Sequence, residues 1–252
     1  MIDSHTHYDD RRFDYDRHEL LPSLGGQGIE FVINIGADMK TSKKSVSLAE
    51  QYTFVYAAIG VHPHDAKSMH DEDFGTLRHL SEHDKVVAIG EIGLDYHYDH
   101  SPRDVQRKRF EQQLELAADI GFPVVIHSRE ACADTWDMLS GSGLKGVIHC
   151  YSGSREQALR YVKAGFYIGI GGVVTYKSAR KLVETVDAIP LERIMLETDC
   201  PYLAPEPHRG RRNHSPYLTE IARKVAEIKG VSFEEVEIAN RENVLTLFDK
   251  IK

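Results

Sequence analysis

Short apolar, β-branched runs recur along the chain, and most of the gaps between them carry helical spacing. The runs are 1–4, Phe31–Ile35, Val55–Ile59, 86–89, 124–126, 147–148, 166–170 and Ile194–Leu196. Continuous apolar runs of this length, without in–out alternation, predict strands buried on both faces. A helix is predicted over 41–51, with Thr41 as its cap. Another is predicted over 102–120, with Phe110, Leu114, Ala117 and Ala118 on one face and a stop at Gly121 before Pro123. Ser154 followed by Gln157 reads as a capping box. Helical patterns also cover 176–189, ended by Pro190, then 215–229 and 233–250. Strand alternating with helix predicts parallel pairing with right-handed crossovers. The expected fold class is α/β, a single (β/α)8 TIM barrel with its chemistry at the C-terminal ends of the strands. A doubly wound open sheet is the alternative. Without repeats, low-complexity stretches or linkers, one domain over 1–252 is the economical reading.

The polar residues at the ends of these runs change the picture from a fold to a site. His5 and His7 close the first run, and Glu91, His127, His149 and Asp199 each follow a later one. Residues i and i+2 of a strand point the same way, so Asp3, His5 and His7 are expected to face one side, where two imidazoles can grip one cation. Four histidines and two carboxylates at one end of five strands form a metal-type donor set. Imidazole with carboxylate suits zinc, manganese or similar divalent ions. Six donors exceed one tetrahedral ion and suit two ions about 3.5–4 Å apart. Glu91 is the bridging candidate, since a carboxylate offers two oxygens and the segment 90–93 contains no lysine.

Composition narrows the function. At 252 residues, with 41% hydrophobic and 28% charged, the chain suits one soluble barrel of about 250 residues. No segment resembles a signal peptide or a membrane helix, and a cytoplasmic location is expected. The net charge of −8 excludes coating of nucleic acid over the whole surface, so any such contact is local. Cys132, Cys150 and Cys200 form no disulfide pattern. Cys150 and Cys200, each next to a candidate ligand, read as strand-end packing residues, because neighbouring side chains in a strand point to opposite faces.

Six ordered motifs carry a resemblance: DSHTH at 3–7, GVHPH at 60–64, GEIGLDY at 90–96, VVIHSR at 124–129, HCYSG at 149–153 and ETDCPYLAP at 197–205. With RGRRNHSPYL at 209–218, they resemble the TatD family of metal-dependent deoxyribonucleases, within the amidohydrolase-like barrel group. The resemblance spans almost the whole chain and implies metal ligands at His5, His7, Glu91, His127, His149 and Asp199. It implies two divalent ions per subunit, of zinc, manganese, magnesium, nickel or cobalt, and DNA, single-stranded or at its ends, as substrate. No membrane or obligate protein partner is implied. Tyr151 replaces a phenylalanine common in the family, and Gly171 and Gly172 stand where serine is common, beside the expected substrate path.

Two metals would neutralise phosphate charge and make water more acidic. Asp199 is then the expected proton acceptor, with Glu91 as its catalytic companion. His62, His64 and Arg129 are the expected substrate contacts. Arg129 alternatively pairs with Glu130 or Asp134, and His62 alternatively packs the loop at Pro63. Asp95 is a candidate for orienting a ligand. The HRGRRNH stretch at 208–214 offers Arg211 and Arg212 as a phosphate clamp, or else is a solvated loop tip. Metal binding needs neutral imidazole, so activity is expected to fall as pH drops through about 6.5. A two-metal hydrolase of another ester or amide bond, such as a D-aminoacyl-tRNA ester, is the alternative function. A non-enzymatic metal-binding scaffold is the third.

Overall fold

The computed structural model describes residues 1–251; the last residue of the 1–252 span lies outside the described residues. In chain order the elements are β1 (Ile2–Thr6), α1 (Arg17–Ser23), β2 (Phe31–Ile35), α2 (Met39–Gln51), β3 (Val55–Ile59), α3 (Asp73–Ser81), β4 (Val86–Asp95), α4 (Arg103–Ile120), β5 (Val124–Arg129), α5 (Cys132–Leu139), β6 (Gly146–Ile148), α6 (Arg155–Lys163), β7 (Tyr167–Ile170), α7 (Arg180–Ala188), β8 (Ile194–Leu196), α8 (Leu218–Lys229) and α9 (Phe233–Leu247). The eight strands form one sheet in sequence order, β1 to β8, the strand order of a (β/α)8 barrel. Among the described residues no helix is long and apolar enough to cross a membrane.

The chain divides into two compact units. The first comprises Met1–Asn34 and Cys150–Thr246. In it β1 pairs with β2, β7 pairs with β8, and Thr6 bridges to Cys200, all in parallel. Its strands are buried throughout, and Ile2, Ile33, Ile168, Leu196, Ile221 and Val225 are almost fully removed from water. Helix α9 ties the first and last strands. Asn240 accepts from the Leu196 N–H at 2.8 Å and donates to the Ile2 carbonyl at 2.8 Å.

The second unit comprises Ile35–His149 and the residues from Leu247. Here β3, β4, β5 and β6 pair in parallel. Two glutamines of α4 lie on its buried face and grip strand-end backbone. Gln113 accepts from the Val61 N–H at 2.7 Å and donates to the Val61 carbonyl at 3.0 Å. Gln106 does the same at Asp95, at 2.9 and 3.1 Å. Apolar spacing alone places neither glutamine on that face. It also places Ala118 there, which is exposed.

The element boundaries differ from expectation for physical reasons. Strands β4 and β5 continue to Asp95 and Arg129, because backbone pairing (Gly93 with His127, Asp95 with Arg129) continues past the apolar residues. Helix α2 starts two residues early, capped by Asp38. The Asp38 carboxylate accepts from the Thr41 N–H, and the Thr41 hydroxyl accepts from the Asp38 N–H. Helix α7 starts at Arg180 rather than Tyr176, since Tyr176 stays extended with its hydroxyl on the Ala204 carbonyl at 2.9 Å. Helix α9 ends at Leu247, short of the expected 250.

Candidate metal centre

Two of the expected ligands lie where a strand carries an extra residue. Between Asp3 and Thr6, β1 advances three residues against two in β2, from Val32 to Asn34. Between Ile89 and Ile92, β4 advances three against two in β5, from Val124 to Ile126. Such a bulge re-aims the side chains it contains, and His5 and Glu91 fall inside these two. The bulge also corrects the expectation that Asp3 shares a side with His5 and His7. Asp3 is fully buried and accepts from the Thr198 N–H at 2.9 Å and the Thr198 hydroxyl at 2.6 Å. Burial pushes its carboxyl up to about 7 against the lowering effect of those bonds.

In the first unit, His5 Nε2 and His7 Nε2 are 3.1 Å apart, and Asp199 Oδ1 lies 3.8 and 3.4 Å from them. Asp199 has φ +56, with its N–H on the His5 carbonyl at 3.0 Å. Aspartate tolerates this left-handed conformation better than most residues, and the turn aims its carboxylate back at the two rings. Glu197, which run-end spacing passed over, joins this group. It is fully buried, an oxygen of its carboxylate lies within 4.8 Å of a His5 ring nitrogen, and Oε1 accepts from the Cys150 N–H. Its signal was available: Glu197 precedes Asp199 by the same two residues that separate His5 from His7. Cys150 has φ +44, outside any strand, and its sulfur lies within 4.8 Å of an Asp199 oxygen. Cys150 therefore escapes the alternation of faces that a strand would impose on it.

In the second unit, one carboxylate oxygen gathers three imidazoles. Glu91 Oε1 is 2.8 Å from His127 Nδ1, 3.2 Å from His149 Nε2 and 3.5 Å from His62 Nε2. Asp95 continues the network: its Oδ2 lies 3.2 Å from His127 Nε2 and 2.8 Å from His64 Nε2. Burial alone would raise the Glu91 carboxyl, but the charges of His149 and His62 and the bond to His127 hold it well below the carboxylate range. Burial pushes His62 far below the ordinary imidazole value. At His127 the bonds to Asp95 and Glu91 outweigh burial, and its pKa rises.

Two groups have their donor atoms mutually within 4.8 Å, His5–His7–Asp199 and His62–Glu91–His127, and such sets of imidazole and carboxylate fit a divalent cation. Thus His5, His7 and Asp199 come together, as do Glu91, His127 and His149, with His62 added to the second group. His64 sits against Asp95.

The expected basic contacts part company. Arg129 is exposed, with its guanidinium carbon 4.8 Å from the Tyr98 ring centroid. The acids offered as its alternative partners are engaged elsewhere, Glu130 with His97 and Asp134 with Arg107. Arg211 is exposed. Arg212 departs from the clamp expectation. Both of its terminal nitrogens bond Asp16, one at 2.8 Å, and one also reaches the Arg12 carbonyl at 2.7 Å. The same guanidinium lies 4.6 Å from the Phe13 centroid. An arginine so committed braces a loop and has few donors left for phosphate.

The family model for TatD related DNase matches residues 2–249. The chain is 41% identical over 251 residues to an uncharacterized metal-dependent hydrolase, YabD, of Bacillus subtilis, covering 98% of each. It is 35% identical over 263 residues to the 3'-5' ssDNA/RNA exonuclease TatD of Cronobacter sakazakii, covering 99% of this chain and 98% of that one. Its structure resembles that of YJJV, a TatD homolog from Escherichia coli, with a TM-score of 0.93, 31% identity, and coverage of 99% and 98%.

Proposed function

Because the chain belongs to the TatD related DNase family, we propose that it is a divalent-metal-dependent hydrolase of phosphodiester bonds in DNA, acting on single strands or ends. The observation that carries this reading is the pair of donor sets, His5–His7–Asp199 and Glu91–His127–His149, each built of imidazole and carboxylate with its atoms a few ångströms apart. Two divalent ions per subunit would be held by these residues, one by His5, His7 and Asp199 and one by Glu91, His127 and His149. A nitrogen-rich set favours zinc, manganese, nickel or cobalt over magnesium, which prefers an all-oxygen shell. When bound, such ions neutralise phosphate charge and make water more acidic.

The chain's own residues supply the rest. Asp199 orients the attacking water and accepts its proton. Asp95 holds the His127 ring through Nε2, which leaves Nδ1, the nitrogen that faces Glu91, as the one that would hold an ion. His62 serves with the Glu91 set. His64, Arg129 and Arg211 contact the substrate, with the two arginines supplying bidentate donors to phosphate oxygens. Arg212 positions Arg211 by bracing the loop on Asp16. The enzyme works as one domain in the cytoplasm.

Metal-loaded protein incubated with end-labelled single-stranded DNA tests the reading, beside the Glu91→Ala variant. A ladder of products from wild type and none from the variant is expected, and product lengths separate exo- from endonucleolytic action. Intact DNA in both arms would refute it. The net charge of −8 favours a second reading, hydrolysis of an uncharged ester or amide. Turnover of such an ester with DNA left intact would establish it.

A further inference from the structure

The loop that follows β4 builds an aromatic assembly beside the Glu91 set. Tyr98 is half exposed, at 50%. Its ring lies nearly parallel to that of His100, at 10° with centroids 5.5 Å apart. The Arg129 guanidinium lies over the Tyr98 ring, its carbon 4.8 Å from the centroid, and His97 and His64 meet the ring edge-on at 4.7 and 5.4 Å. The backbone of the loop that carries Tyr98 is tied down at both ends. The Tyr98 N–H donates to Asp95 Oδ1 at 2.9 Å, and the other Asp95 oxygen bonds His64 and His127. At the far end of the loop the Ser101 hydroxyl donates to the His64 carbonyl at 2.9 Å, and Lys67 Nζ donates to the His100 carbonyl at 2.8 Å. The loop is thus held a few hydrogen bonds from Glu91.

A half-exposed aromatic ring with a guanidinium over it is what an unstacked nucleobase can share: π-face on π-face, with a cation close to the phosphate. A base inside a duplex is already stacked and paired and must first be extruded. We propose that Tyr98, with His100 and Arg129 beside it, stacks a nucleobase of the strand whose phosphodiester lies at the Glu91 set, and thereby selects single-stranded over paired ends. This rests on the nuclease reading and adds the element that discriminates among DNA forms. Tyr98 holds the base and takes no part in the chemistry.

The test is hydrolysis by the metal-loaded full chain of one end-labelled oligonucleotide in three forms: intact single strand, the same strand with abasic residues near its end, and blunt duplex. Base–aromatic stacking of about 1–3 kcal/mol corresponds to roughly 5- to 150-fold in binding. Tyr98→Ala is expected to raise KM on the intact strand about tenfold with kcat little changed, and Tyr98→Phe to restore it. On the abasic strand, wild type and Tyr98→Ala should be alike. The preference for single strand over duplex should shrink in Tyr98→Ala. Independently of turnover, a 2-aminopurine near the end of the strand should lose fluorescence on binding wild type and much less on binding Tyr98→Ala. Equal KM for wild type and Tyr98→Ala, an equal loss on intact and abasic strands, or unquenched 2-aminopurine would overturn the proposal while leaving the nuclease reading intact. If wild type cleaves none of the three forms, the nuclease reading fails and this proposal falls with it.

Discussion

At the scale of single residues, the proposed chemistry separates holding a cation from moving a proton. Asp199→Asn keeps one carbonyl oxygen for the cation but loses a proton acceptor, so it should retain most of the bound metal and lose about 10²–10⁴-fold in kcat. Elemental analysis of the purified variant beside its turnover checks this, and turnover within a few-fold of wild type would remove Asp199 from the role. His127 sets a pH limit. Its bonds to Asp95 and Glu91 raise its pKa above the ordinary 6.5, while a cation needs the ring neutral. Protons therefore compete with metal more strongly as pH falls, and the loss of metal should begin above 6.5 and deepen below it. Metal content measured against pH reads this directly, and uptake unchanged down to pH 5 would contradict it. The histidines and Asp199 were legible from position alone, because a strand must end and the barrel class puts chemistry at that end. Glu197 shows only as a spacing of two residues from Asp199, and the true environment of Asp3 does not show at all, because a one-residue bulge in β1 decides which of two adjacent side chains faces a site.

At the scale of elements, the site depends on backbone geometry more than on apolar pattern. Gly93 has φ +145 and pairs with His127 across β4 and β5, and an added Cβ would stand 1.9 Å from the His127 carbonyl oxygen. No rotamer change relieves a clash with backbone. Gly93→Ala should therefore destabilise the protein by about 3 kcal/mol or more and displace His127. A chemical denaturation midpoint close to wild type would show that the strands can separate at little cost. Helix α4 acts in the same way from the other side. Gln113→Leu would leave the buried Val61 N–H and carbonyl without partners, at about 1–3 kcal/mol each, next to His62. Loss of stability together with lower activity is expected, where a merely apolar helix face would tolerate leucine. The helix was readable from its spacing and its Gly121 stop. Its glutamines were not, since polar residues on a buried face make sense only once the carbonyls they meet are known.

At the scale of the whole molecule, the proposed DNA substrate would meet a net charge of −8. Recognition through a few local cations predicts a shallow salt dependence, with a slope of about −0.7 per phosphate contact for single strands. Arg211→Ala should flatten the slope of log affinity against log salt by about that amount. Arg212→Ala should act first on thermal stability, through the Asp16 pair and the Phe13 contact. An unchanged slope for Arg211→Ala would remove it from the binding surface. Chelation should lower the melting midpoint by several degrees, since a ligand at 100 times its Kd adds about 2.7 kcal/mol and each kcal/mol moves a chain of this size by about 2–4 °C. Added zinc or manganese should restore it. The sequence by itself determined the eight-strand rhythm, the α/β class and the residue types gathered at the strand ends, because burial on both faces and the end of apolar patterning are written in local composition. Only the tertiary structure decided which side chains share an oxygen, which arginine is already engaged, and which loop is tied down. Those outcomes depend on ångström-scale register and on partners tens of residues away, and no local pattern encodes them.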